Sequence, residues 1–88
     1  MAVQLKEFNM PHISVKMLKG RSEEQKERLA AALVKTLTQE LHCSEQHVTC
    51  AIEDYTPAEW QTVFKEEITD KPAGKIYKKA EYDPKDLL

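Results

Sequence analysis

A strand pattern that leads directly into a turn constrains the fold of this chain more than any other feature. Ile13, Val15 and Met17 alternate with polar side chains, which is the period of a strand with one buried face. This alternation predicts a strand over about residues 11–18, and Gly20 marks the turn that follows it. A strand with one buried face that leads into a tight turn is therefore the first strong element of the chain.

The next segment has the signature of a helix N-terminus. Ser22 and Gln25 are spaced as in a capping box, in which the serine hydroxyl and the glutamine amide satisfy exposed backbone groups. The apolar residues that follow at intervals of three and four, which keep one helix face inward, are Leu29, Ala30, Leu33, Val34, Leu37 and Leu41. We therefore predict a helix that starts near Glu23 and ends around Leu41 or His42.

A second strand follows a short polar stretch. Val48, Cys50 and Ile52 alternate with Thr49 and Ala51, again with the period of a strand. A strand, a long helix and a strand with short connections form a right-handed crossover, in which the two strands are parallel. The sequence therefore predicts an α+β fold built on a βαβ unit.

An additional short helix is predicted after the second strand. Thr56 is a typical cap, Pro57 suits the first helical position and Glu59 the third. The residues that continue at helical spacing are Trp60, Val63, Phe64 and Ile68. Residues 75–88, the C-terminal tail, either add a short strand or contact a neighbouring chain. The predicted organisation is an extension at residues 1–10, a domain at 11–74 and this tail.

Composition narrows the class of protein. The net charge of -2 gives no general attraction to nucleic acid, and the charged residues, 32% of the chain, are mixed in sign. No apolar run reaches membrane-spanning length, and the first ten residues lack the features of a secretion signal, so we expect a cytoplasmic protein without nucleic-acid or membrane partners. Cys43 and Cys50 are then expected to be free thiols, and Cys50 a small buried residue.

The predicted fold also indicates self-association. A two-stranded parallel sheet with one helical layer leaves both sheet edges and one sheet face uncovered. Another copy of the chain covers them most simply, so we expect a homodimer or a larger closed oligomer.

Residues 11 to about 60 resemble the 4-oxalocrotonate tautomerases, whose members begin with a catalytic N-terminal proline and share a βαβ subunit. The resemblance rests on the proline-led strand, Gly20-Arg21-Ser22, the helix start Glu24-Gln25-Lys26, the strand from Val48 and the aromatic Trp60. Residues 55–61 are similar to an Ile-Gln-Pro-Glu-Ser-Trp-like segment of the small dimeric branch of that family. The length from Pro11 onward also suits this branch, so the resemblance favours a homodimer over a hexamer.

The resemblance implies a cofactor-independent keto–enol isomerase. Pro11, as a free secondary amine, would move a proton between the oxygen and carbon positions of a small enol or keto acid, and Arg21 would hold its carboxylate. Partial desolvation and a nearby cation would lower the pKa of that amine, so that it acts as a base. Trp60 would form an apolar wall, and His12 would contact the substrate. Thr49 stands where hexameric members carry a second arginine, which favours a monocarboxylate, such as an aryl or alkyl enolpyruvate.

Each of these residues also has a plainer interpretation. Pro11 fits an ordinary strand-edge proline, and His12 fits a surface histidine. Arg21 fits a solvated side chain at a helix start. Trp60, at helical spacing with Val63, fits a core or subunit contact as well as a substrate wall.

The first ten residues decide between two functions. If the mature chain starts at Pro11, the proline nitrogen is a secondary amine, whereas with residues 1–10 attached it is an amide that takes no proton. The extension either adds a strand through Val3 and Leu5 or results from an upstream start codon chosen in error. The alternative to the enzyme is a non-catalytic binding or structural oligomer with the tautomerase fold, in which residues 1–10 block the proline.

The sequence predicts neither a metal site nor a phosphate loop. His42, Cys43 and His47 lie close together, but a structural zinc site needs four ligands and no second cluster supplies the rest. Gly20 and Gly74 are too far apart to form a glycine-rich phosphate loop. The partners that the resemblance implies are a small keto or enol acid and a second copy of the chain, without a cofactor.

Overall fold

The chain follows the order strand, helix, strand, helix in the computed structural model, which describes residues 10–88. The elements are β1 (His12–Leu18), α1 (Glu23–Leu41), β2 (Thr49–Tyr55) and α2 (Pro57–Phe64). The strand considered for Val3 and Leu5 lies outside the described residues. The described residues form two compact units, the first with residues 10–16 and Gly20–Glu53, the second with Met17–Lys19 and Asp54–Leu88.

The two strands pair as a parallel sheet. His12 lies beside Thr49 and Lys16 beside Glu53, and the constant offset of 37 residues is the register of parallel strands. At the start of the sheet, the Thr49 N–H donates to the Pro11 carbonyl at 3.2 Å. The α+β fold with a βαβ unit that the sequence predicts is confirmed.

Helix α1 begins at the residue that its capping box predicts. The Gln25 N–H donates to the Ser22 hydroxyl at 3.1 Å, and the Ser22 N–H donates to the Gln25 side chain at 2.9 Å. The helix ends at Leu41, where His42 adopts a left-handed conformation with φ of 55° and donates its N–H to the Thr38 carbonyl. Both predicted ends of this helix are confirmed.

The apolar stripe of α1 is only partly covered. Its half-buried members are Leu29, Ala30, Leu33, Val34 and Leu37. Leu41 is 46% exposed, and no residue of α1 is buried. Among residues 10–88, only Val63, on α2, is buried, with 8% of its surface exposed.

Strand β2 begins one residue later than the alternation predicts. Val48 ends a 3₁₀ turn, Glu45–His47, by donating its N–H to the Glu45 carbonyl at 3.0 Å. Because that N–H is used by the turn, Thr49 is the first residue of the strand. The strand extends to Tyr55, directly before the cap of α2.

A second capping box starts α2. The Glu59 N–H donates to the Thr56 hydroxyl at 3.1 Å, and the Thr56 N–H donates to the Glu59 carboxylate at 2.8 Å. Pro57 occupies the first turn, where its missing N–H is not needed. The predicted start of this helix is confirmed.

The helical period after Phe64 continues as a π-helical turn, Lys65–Thr69. The Asp70 N–H donates to the Lys65 carbonyl at 2.8 Å, and the Lys65 ammonium lies 2.6 Å from the Asp70 carboxylate. The hydrogen bond to this carboxylate, together with its negative charge, raises the pKa of Lys65. The backbone and the ion pair therefore end the helical segment at the same residue.

The C-terminal tail forms no strand in the structure, so that alternative is wrong. Its last residues form a 3₁₀ turn, Pro84–Leu87, with Asp83 as the cap. The Gln61 side chain donates to the Pro84 carbonyl at 2.8 Å, and the Trp60 indole donates to the Tyr82 hydroxyl at 2.9 Å. Side chains of α2 thus hold the tail.

Two further expectations concern the whole described segment. Across residues 10–88, no helix is both long enough and apolar enough to cross a membrane. Cys43 and Cys50 are free thiols, as expected. Cys50 is half-buried and not fully buried, because the single chain covers its strand incompletely.

Candidate active site

Pro11 lies directly before the first residue of β1. It is half-buried, and its carbonyl accepts the Thr49 N–H. Its nitrogen is joined to Met10, which is 61% exposed and has a φ of 45°, a left-handed conformation that is unfavourable for a residue before proline. Met10 therefore adds little packing at the end of the strand where the proline nitrogen lies.

His12 forms a side-chain hydrogen bond to the neighbouring strand. Its Nδ1 lies 2.6 Å from the Thr49 hydroxyl, and the tautomer of the imidazole decides which group donates. Both residues are exposed. Because the threonine is neutral, this position does not bind a carboxylate through a charge, as an arginine would.

Arg21 lies in the exposed turn between β1 and α1. Gly20 adopts a φ of 133°, which residues with a Cβ rarely adopt, so the glycine fixes the direction of the chain at this turn. Within residues 10–88, the Arg21 guanidinium has no hydrogen bond or ion pair, whereas Arg28 on α1 lies 3.5 Å from the Glu24 carboxylate. Arg21 is therefore available to a carboxylate ligand.

Trp60 lies on α2, in the second unit. Its Nε1 donates to the Tyr82 hydroxyl at 2.9 Å, and its ring packs edge-to-face with Tyr55, with centroids 6.2 Å apart and an interplanar angle of 61°. The indole N–H is the only hydrogen-bond donor of this side chain, and Tyr82 already accepts it. The surface that the tryptophan can present to a ligand is therefore the apolar face of its ring. This geometry fits an apolar wall and also fits a structural aromatic cluster.

Glu59, the residue before Trp60, has a shifted pKa. The N–H of Thr56 stabilises the Glu59 carboxylate and lowers the pKa of Glu59, and the nearby Lys19 adds to the shift in the same direction. Glu59 therefore remains ionised as the charged member of the α2 capping box. In the part of the chain that the structure describes, no group of three or more His, Cys, Asp and Glu residues is placed to bind a metal ion.

The structure brings only some of the candidate residues together. Thr49 bonds to both Pro11 and His12, and Arg21 belongs to the same unit. The sequence marked Thr49 only as a departure from the family pattern, not as the hydrogen-bond partner of two candidates.

Tyr82, the partner of Trp60, is not among the candidate residues that the sequence identifies. Asp83-Pro84 combines a typical cap with a proline at the first helical position, the same signature that predicted α2. That signal predicts the turn after Tyr82, but nothing in the sequence predicts which residue the tyrosine contacts.

Comparison with known proteins identifies relatives over most of the described residues. A family model described as Tautomerase enzyme matches residues 11–71. The tautomerase PptA of Klebsiella pneumoniae strain 342 is 34% identical over 70 residues, which cover 78% of this chain and 93% of that protein. The tautomerase PptA of Klebsiella pneumoniae subsp. pneumoniae strain ATCC 700721 / MGH 78578 is 34% identical over 68 residues, which cover 76% and 91%.

Two solved structures share the fold. SAR1376 from methicillin-resistant Staphylococcus aureus, described as a candidate 4-oxalocrotonate tautomerase, aligns with a TM-score of 0.53 at 31% identity, covering 55% of this chain and 77% of that one. The apo form of unFused 4-OT aligns with a TM-score of 0.54 at 33% identity, covering 56% and 80%. The family match begins at Pro11, the residue that also begins the paired strand segment. This chain belongs to the tautomerase family and is an isomerase of that class.

Proposed function

We propose that this protein is a cofactor-independent keto–enol tautomerase of a small acid with one carboxylate, and that Pro11 is its general acid–base. The position of Pro11 carries the proposal. It begins the family match and lies at a strand end, and Met10, the residue joined to its nitrogen, is exposed.

The proposed active form begins at Pro11. In that form the proline nitrogen is a secondary amine, which takes a proton from the enol oxygen and delivers a proton to the other carbon of the enol double bond, next to the carbon that becomes the carbonyl. The step changes neither the oxidation state nor the composition of the substrate. With Met10 attached, the same nitrogen is an amide and cannot take part.

Arg21 is the proposed carboxylate-binding residue. Its guanidinium is exposed and unpaired within the described residues, and its planar donor groups match the two oxygens of a carboxylate. Thr49 supports a substrate with one carboxylate, because this position holds a neutral hydroxyl that is already bonded to His12. An aryl or alkyl enolpyruvate has the required chemistry.

Trp60 and His12 are proposed to contact the substrate in different ways. The tryptophan presents apolar ring surface, which favours an aryl or alkyl group. The imidazole of His12 is exposed and keeps Nε2 for a polar substrate atom, because Nδ1 faces the Thr49 hydroxyl.

A homodimer is the proposed assembly, with a hexamer as the alternative. The single chain buries only Val63 among residues 10–88 and leaves the apolar stripe of α1 partly exposed. A second copy would cover this surface and the open sheet edges. The free thiols of Cys43 and Cys50 suit the proposed cytoplasmic location.

The test compares two preparations, residues 1–88 and a chain whose first residue is Pro11, with both N-termini verified by intact mass. The ketonisation of an aryl enolpyruvate is measured as the decrease in enol absorbance. We expect turnover only in the chain that begins at Pro11, and sedimentation velocity of the same sample determines its assembly.

Equal turnover in the two preparations would exclude the proline nitrogen as the base. Turnover in neither would contradict the proposed substrate class and favour the alternative, a binding or structural oligomer with the tautomerase fold. The N-terminus of the protein isolated from its own cell then determines which form exists.

A further inference from the structure

We propose that Tyr82, in the C-terminal tail, is a positioning residue that fixes the indole of Trp60 and thereby determines which enol acids bind. This inference rests on the proposed function, in which Trp60 contacts the apolar part of the substrate. Tyr82 lies beyond residues 11–71, the segment that the family model matches. The determinant of specificity would thus come from outside the matched segment.

The Tyr82 side chain holds Trp60 by a directional contact. The tyrosine hydroxyl accepts the indole Nε1–H at 2.9 Å, so the pyrrole edge of the indole has a fixed partner. Tyr55 packs against the same indole at an interplanar angle of 61°. A ring with one hydrogen bond and one edge-to-face contact has few orientations left to it.

The tyrosine ring is itself held by α2. It packs edge-to-face with Phe64, with centroids 5.5 Å apart and an interplanar angle of 73°. Trp60 and Phe64 are one helical turn apart, so the single tyrosine contacts two neighbouring side chains on one face of α2. Its hydroxyl is therefore directed at the indole even though 46% of Tyr82 is exposed.

The backbone around Tyr82 is also fixed. The Gln61 side chain donates to the Pro84 carbonyl at 2.8 Å, and the Asp83 carboxylate accepts the Lys85 N–H at 3.0 Å. The first bond fixes the tail to α2 two residues after the tyrosine, and the second fixes the turn that follows it. The contact with Trp60 thus belongs to an anchored segment.

The test replaces Tyr82 by phenylalanine, which removes the hydroxyl acceptor and retains the ring that packs on Phe64. Tyr77→Phe is the matched control, because Tyr77 lies in the same tail and is 96% exposed. Trp60 is the only tryptophan of the chain, so its indole N–H gives one assignable signal in a ¹H–¹⁵N spectrum. We expect Tyr82→Phe to shift this signal and to increase its exchange with solvent about fivefold, and Tyr77→Phe to do neither.

Kinetics separate positioning from a merely structural role. We expect Tyr82→Phe to raise KM for an aryl enolpyruvate about fivefold with kcat nearly unchanged, and to change KM for a small alkyl enolpyruvate much less. Tyr82→Ala, which also removes the ring, should raise KM for the aryl enolpyruvate further. The thermal midpoint of Tyr82→Phe should remain near that of Tyr77→Phe.

The outcomes distinguish this inference from the proposed function. An unchanged indole signal, or equal changes in KM for aryl and alkyl substrates, would overturn the positioning role while the enzyme remains active. Absence of turnover in wild-type chains with either N-terminus would overturn the proposed function and the specificity role together.

Discussion

The two units of this protein hold their candidate functional residues in different ways. In the first unit the backbone sets the positions: Pro11 lies at a strand end, and Arg21 follows a glycine turn with its guanidinium unpaired within the described residues. In the second unit side chains set the position of Trp60, through Tyr82 and Tyr55. We therefore expect substitutions of the candidate functional residues in the first unit to change chemistry more than stability, and substitutions in α2 and the tail of the second unit to change either stability or ligand geometry.

The largest expected effect tests the first unit. In a chain that begins at residue 11, Pro11→Ala replaces the ring-fixed amine by a mobile primary amine, and turnover of the enol acid should fall at least about 100-fold. Sedimentation velocity and thermal unfolding should show wild-type assembly and stability. A loss of assembly equal to the loss of turnover would contradict the assignment of a chemical role at this position.

The next largest effect tests the second unit. Val63→Ala removes two methyl groups from the one buried residue among residues 10–88 and should lower the free energy of unfolding by about 2 kcal/mol, as measured in urea. Val34→Ala, on the half-buried stripe of α1, is the matched control and should cost about half as much. Both measurements are made at one protein concentration, because association contributes to stability. An equal or larger loss for Val34→Ala would place the main apolar contacts of the assembly on α1.

Arg21→Ala returns to the first unit with a smaller effect. Loss of a charge-assisted hydrogen-bond donor should lower kcat/KM for an enol acid about tenfold and leave unfolding unchanged. Arg28→Ala is the control, because it also removes one arginine charge, that of the exposed ion pair with Glu24 on α1. It should leave kcat/KM near the wild-type value. The methyl ester of the substrate lacks the negative charge. Arg21→Ala should therefore lower kcat/KM for the ester much less than kcat/KM for the acid. Equal losses for acid and ester would contradict carboxylate binding by this arginine.

Local signals explain which parts of the fold the sequence predicts. The boxes at Ser22 and Thr56 fix both helix starts, because each involves residues only three apart. Strand β2 starts at Thr49 and not at Val48, because the Val48 N–H donates to the Glu45 carbonyl of the preceding turn and is not available to the strand. The π-helical turn after Phe64 depends on the backbone and on the pair between Lys65 and Asp70, for which the helical period gives no signal.

Contacts between distant residues limit what can be predicted for the site. Pro11, Arg21 and Trp60 are found through motif and resemblance, since each lies beside a strand or helix signal. Tyr82 lies 22 residues after Trp60, and its ring meets the indole only because the tail packs on α2. Periodicity describes one element at a time, so it does not predict a contact of this kind.

The two capping boxes permit a direct comparison at the level of stability. Ser22 and Thr56 have the same backbone angles, φ of -76° and ψ of 163°, and both hydroxyls accept an N–H at 3.1 Å. Ser22→Ala and Thr56→Ala should each lower the free energy of unfolding by about 1 kcal/mol in urea. Glycine at either cap should cost only a few tenths of a kcal/mol. A much larger loss at Thr56 would show that the second unit depends more on its helix start.

The smallest expected effect is a difference between the two capping boxes in how their contribution to stability depends on pH. Gln25 closes the first box with a neutral amide, whereas Glu59 closes the second with a carboxylate whose pKa is lowered by the Thr56 N–H. Because the folded pKa of Glu59 lies below its unfolded value, its stabilising effect is present above the unfolded pKa. The effect is lost as the pH falls through the folded pKa. The first box has no such titration.

This difference predicts opposite outcomes for two conservative exchanges. Glu59→Gln keeps a hydrogen-bond acceptor at the second box, so its unfolding midpoint in urea should fall less than that of the wild type between neutral and acidic pH. Gln25→Glu adds a titrating acceptor to the first box and should make the midpoint fall more. The difference between variant and wild type at each pH is the quantity to compare, since the other carboxylates titrate in all three proteins. A Glu59→Gln difference that stays constant with pH would show that the second box is as insensitive to acid as the first, and that the two helix starts differ in sequence but not in their response to protons.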